Sequence, residues 1–93
     1  MATAEALMTA VEFGLRPDPG YPEELVQGKI VSMSPPDRKH GYVCGQAFFL
    51  LRLFVDQRDL GRVLTNDSAV ITQRDPDTVR GADVCFYSYA RLP

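Results

Sequence analysis

The chain has no tryptophan, a single histidine and only two cysteines in 93 residues. The two cysteines, Cys44 and Cys85, lie far apart inside apolar stretches, and no Cys-x-x-Cys pair exists. A zinc-finger-type cluster is therefore excluded, and the pair reads as two reduced core thiols of a cytosolic protein. His40, the single histidine, shows no metal-type partner at helical spacing in this reading. A dense basic run is also missing: Arg38, Lys39, Arg52, Arg58, Arg62, Arg74 and Arg80 are scattered, and the net charge is -2. That excludes a strongly basic nucleic-acid coat but leaves room for a local basic face. No basic stretch followed by an apolar one opens the chain, so a secretory signal is not supported. The longest apolar run, Ala47 to Leu51, is too short to span a bilayer.

What is present is ordinary globular material: 45% hydrophobic and 24% charged residues, enough for one small domain over residues 1–93. Residues 1–13 read as a short amphipathic helix capped by Thr3, with Leu7, Ala10 and Val11 on one face and Gly14 ending it. Prolines at 17, 19 and 22 make the next stretch a loop. Residues 23–34 predict a hairpin about Gln27-Gly28, where Gly28 supplies the positive φ such turns require. Asp37 is a candidate N-cap for a long helix over 37–60, ended by Gly61. Its Val43, Ala47, Leu51 and Phe54 recur at helical spacing and should pack on a sheet. Cys44, Phe48 and Val55 widen that stripe, and the Phe48-Phe49 pair reads as core. Residues 62–88 supply further sheet strands, with a bend at Asn66-Asp67 and a turn at Asp75-Pro76-Asp77-Thr78. The fold class is α/β in the broad, α+β sense: a mixed sheet with one long packed helix.

The most informative position is Asp83, a carboxylate planted in the β-prone run Val79 to Tyr87. Such a group needs a cation, a metal or several donors if it enters a core. The successive apolar residues Val84, Cys85 and Phe86 suit a strand buried on both faces.

Several strings in order resemble the Uma-type restriction endonucleases of the PD-(D/E)XK nuclease superfamily. They are Glu24-Leu25-Val26-Gln27-Gly28-Lys29-Ile30, Met33-Ser34-Pro35-Pro36, His40-Gly41 opening the long helix, and Asp83-Val84 in a strand followed by Ser88 and Arg91-Leu92-Pro93. The resemblance spans about Met8 to Pro93. Ala82 stands where the family commonly has proline before the strand aspartate. The resemblance implies a restriction-endonuclease-like fold and metal-dependent hydrolysis of DNA phosphodiester bonds, with Mg2+ as cofactor and DNA as partner.

It assigns Asp83 and Glu24 as metal ligands and adds His40 as a site residue in contact with phosphate. The family also carries a further acidic and a basic residue on later elements, so these 93 residues are expected to form its first half. Alone they are expected to bind DNA weakly, to leave it uncut, and to self-associate through an open edge of the Asp83 strand. The competing reading is a non-catalytic remnant or protein-interaction module. A small regulatory module with a basic recognition helix is excluded, because the long helix is too apolar. Without resemblance, Glu23-Glu24 reads as a solvated pair, and Arg38, Lys39 and Arg80 as solvent-facing charges that could touch phosphates.

Overall fold

Turn chemistry fixes the first part of the chain. In the computed structural model, which describes residues 6–92, Gln27 and Gly28 both take positive φ, 49° and 78°. Two left-handed residues in succession give a turn whose twist matches paired strands. They join β1 (Glu23–Val26) to β2 (Lys29–Ser32), antiparallel, with Leu25 opposite Ile30. The Gln27 amide donates to Thr78 Oγ1 at 2.9 Å and the Gly28 amide to the Asp77 carbonyl at 2.8 Å.

Two longer strands follow, β3 (Gly61–Gln73) and β4 (Thr78–Ser88), with the helix α2 (Arg38–Arg58) preceding them. The four strands form one antiparallel sheet in the order β2-β1-β4-β3, and with the long helix this is an α+β fold. Contacts divide the chain into two units, Met1–Pro35 with Ala69–Arg80, and Pro36–Ser68 with Gly81–Pro93. The first has Leu25 opposite Val79 at its centre, 0% and 5% exposed. The second has Val55, 2% exposed.

Several expectations change. The first helix is α1 (Ala10–Gly14), capped by Thr9; Thr3, the expected cap, lies outside the described residues. A capping box of Thr9 with Glu12 decides its start, and residues 6–9 ahead of it are not helical. The long helix stops at Asp59, whose φ of 51° ends it in left-handed geometry; Gly61 is the first residue of β3. Glycine is required there because a Cβ would collide with the Tyr87 carbonyl.

The inward stripe of α2 is Cys44, Phe48, Leu51 and Val55, the only helix positions of the second unit that are not exposed. Val43, Ala47 and Phe54 are turned outward, with Val43 55% and Phe54 49% exposed, and Phe49 is also on the surface. Apolar residues run all round this helix, so periodicity alone does not choose the buried face. β4 is an inner strand flanked by β1 and β3, and β2 and β3 form the sheet's edges. Its Val84 and Cys85 are half-buried and Phe86 exposed, unlike a strand covered on both faces.

Asp77 ties the first unit together. Its carboxylate accepts from the Ala10 amide at 2.7 Å and the Asp75 amide at 3.2 Å. The Ala10 bond, then the Asp75 bond, hold its pKa below the ordinary value. A depressed folded-state pKa contributes stability that is complete above the unfolded-state value of 3.8 and is lost as pH falls through the folded value. Thermal melts of wild type against Asp77→Asn should therefore converge in acid below that range and separate above it, the wild type melting higher.

Candidate functional site

The second unit carries a cleft of about 390 Å³ open to solvent. His40, Cys44 and Phe48 line it from one face of α2, and Thr65, Asn66, Asp67 and Asp83 line it from β3 and β4. Asp37 sets the wall on the helix side: its carboxylate accepts from the His40 amide at 2.9 Å, starting the helix there. His40 thus sits in the first turn, where the helix N-terminus favours negative charge. Asn66 and Asp67 set the opposite wall. Both have positive φ, 64° and 57°, and Ser68 Oγ donates to the Thr65 carbonyl at 2.8 Å across them. Asp67 packs so near Gly81 that a Cβ there would lie 3.2 Å from its own.

Asp83 is exposed, its side chain 52% accessible, so it needs no buried counter-charge. Thr65 Oγ1 donates to its main-chain carbonyl at 2.9 Å, pinning the backbone and not the carboxylate. Asp83 Oδ2 lies 3.2 Å from His40 Nε2, which is itself 3.3 Å from Cys44 Sγ. Burial first, then the charges of Asp83 and Asp67, push the Cys44 thiol above its ordinary pKa. That shift runs opposite to the lowered pKa of an activated nucleophile.

Two of the three residues singled out in the sequence, His40 and Asp83, therefore meet. Glu24 belongs to the first unit, where Arg80 Nη1 donates to its Oε1 at 3.0 Å. Its neighbour Glu23 binds Arg16 at 2.7 Å with 8% side-chain exposure, so the two glutamates are held ion pairs and not a solvated pair. Arg38 and Lys39 are exposed in the first turn of α2.

Sequence reasoning missed Cys44 and Asp67. Cys44 stands four residues after His40, the spacing that stacks two side chains on one helix face, and lines the cleft half-buried. Asp67 was signalled only by Asn-Asp, the residues that tolerate left-handed geometry best.

Gly41 and Gly45 also line the cleft from α2, and a Cβ on either would meet nothing within 4 Å. Neither φ nor packing demands glycine, yet each weakens a helix interior by about 0.5–1 kcal/mol relative to alanine. Bare backbone here keeps the wall open to close approach. Gly41→Ala and Gly45→Ala should each raise stability by about that amount in urea denaturation.

No helix among the described residues is long and apolar enough to cross a membrane. No curated protein matches the chain. A family profile does, over residues 11–93, which takes in the hairpin, the His40 turn and the Asp83 strand together: the chain belongs to the Uma2 family, described as "Putative restriction endonuclease".

Proposed function

We propose that the chain contributes the metal-binding part of a DNA endonuclease site of the PD-(D/E)XK type, acting in the cytoplasm. The observation that carries this reading is the exposed Asp83 carboxylate in an open cleft beside Asp67 and the first turn of α2. The oxygen donors of the cleft suit a hard cation: the Asp83 and Asp67 carboxylates, with Asn66 and Thr65 oxygens beside them. Asp83 would hold Mg2+, with Asp67 nearby on the same cleft. When bound, the ion would polarise a phosphoryl oxygen and lower the pKa of the attacking water. His40, Arg38 and Lys39, on the helix N-terminal turn, would orient the DNA phosphate, and the bare Gly41 and Gly45 would let it approach.

The test is plasmid nicking by a protein carrying the whole family domain. Conversion of supercoiled to open-circular DNA that requires Mg2+ and stops with chelator supports the reading; no nicking with any divalent ion refutes it. The 93-residue chain alone is the control, expected to bind DNA weakly and leave it uncut. One observation favours a second reading, a protein-interaction module: the outer face of α2 exposes Val43, Phe49, Leu50, Leu53 and Phe54. Under that reading nicking is absent and a partner protects these side chains.

A further inference from the structure

His40 and Cys44 rise from one face of α2, four residues apart, and Asp83 of β4 meets them. One ligand atom from each lies within 4.8 Å of the other two. Their hydrogen bonding runs through a single atom of His40. Both neighbours approach the same ring nitrogen, at 3.2 Å and 3.3 Å. As an N–H it donates to the carboxylate and only weakly to the sulfur, and as a lone pair it accepts from the thiol but not from the carboxylate, so neither state bonds both strongly. Nor is this a nucleophilic triad, in which carboxylate and nucleophile take opposite nitrogens of the ring.

Three donor atoms within 4.8 Å of one another can coordinate one cation. Zinc binds imidazole nitrogen at about 2.0–2.1 Å, thiolate at about 2.3 Å and carboxylate oxygen at about 2.0–2.2 Å, as a tetrahedron. The edges of that tetrahedron are about 3.3–3.7 Å, from the same bond lengths. The His40–Asp83 and His40–Cys44 separations, 3.2 Å and 3.3 Å, already come close to that length. The third edge is at most 4.8 Å and shortens by turning the half-exposed Asp83 side chain. Nitrogen and sulfur donors disfavour magnesium and calcium and suit a borderline-soft ion. Three protein ligands leave a fourth position open to the cleft, as in zinc sites that bind water or substrate.

We propose that His40 Nε2, Cys44 Sγ and an Asp83 oxygen form a binding site for Zn2+, with the fourth coordination position facing the cleft. Asp83 and His40 are shared with the nuclease reading and Cys44 is not, so zinc binding is measured without DNA.

The experiment is titration of the purified 93-residue chain with Co2+, a visible stand-in, followed by Zn2+. One equivalent of Co2+ should give a thiolate-to-cobalt charge-transfer absorption, which Zn2+ abolishes and excess Mg2+ does not. Cys44→Ser should lose that band and weaken Zn2+ binding at least about tenfold, and His40→Ala and Asp83→Asn should weaken it comparably. Cys85→Ser should leave both unchanged. Mass-spectrometric alkylation supplies a readout that needs no variant: Zn2+ should protect Cys44 and not Cys85. No charge-transfer band in the wild type, a band that follows Cys85, or equal protection of both thiols would overturn the assignment. DNA cleavage enters none of these measurements.

Discussion

Leu25→Ala is expected to destabilise the chain by about 2–5 kcal/mol, the range for a leucine removed from a closed site. Leu25 is 0% exposed and stands opposite Ile30 on one side and Val79 on the other. Only three hydrophobic residues are buried among those described, Leu25, Val55 and Val79, so little remains to close over the cavity. Small domains hold about 5–15 kcal/mol in total, and the loss would consume much of it. Urea denaturation should show a lower midpoint at unchanged slope. Leu50→Ala, at a side chain 62% exposed, should stay within about 0.5 kcal/mol of wild type. If both variants shifted alike, the placement of the core at β1 would be wrong.

The second large effect concerns chemistry. In a protein carrying the whole family domain, Asp83→Ala should reduce Mg2+-dependent nicking by at least about a hundredfold, a usual loss when one electrostatic group of a site is removed. The fold should survive, because the carboxylate is exposed and the Thr65 bond is to the Asp83 main chain. Far-ultraviolet circular dichroism should therefore be unchanged while nicking disappears. Glu24→Gln should lose less activity but some stability, since Glu24 is also held by Arg80 in the first unit. Full nicking by the Asp83 variant would remove that residue from the site.

Local signals in the sequence were the readable ones. Gln27-Gly28 specifies its hairpin because left-handed geometry at both positions admits few residues, and Asp37 specifies the start of α2 because an acceptor is needed there. The buried face of α2 was not readable. Its apolar residues encircle the axis, and only the neighbours decide that Cys44, Phe48, Leu51 and Val55 turn inward. The candidate site divides in the same way. Asp83 stood out as a charge among apolar neighbours, whereas Asn66-Asp67 signalled a bend but not that the bend brings Asp67 to the same cleft. Cys44 was hidden by its setting, since a cysteine among apolar residues reads as packing until His40 is seen one turn away.

The outward side of α2 also governs how this protein handles in solution. Val43, Phe49, Leu50, Leu53 and Phe54, at about 1.5 Å of rise per residue, make a non-polar seam about 17 Å long. Attraction between such seams has no orientation requirement and weakens on cooling, whereas excluded salts such as sulfate strengthen it. Solutions should therefore scatter more light when warmed or salted out and clear again in the cold, the reverse of association through charge, which added salt would dissolve.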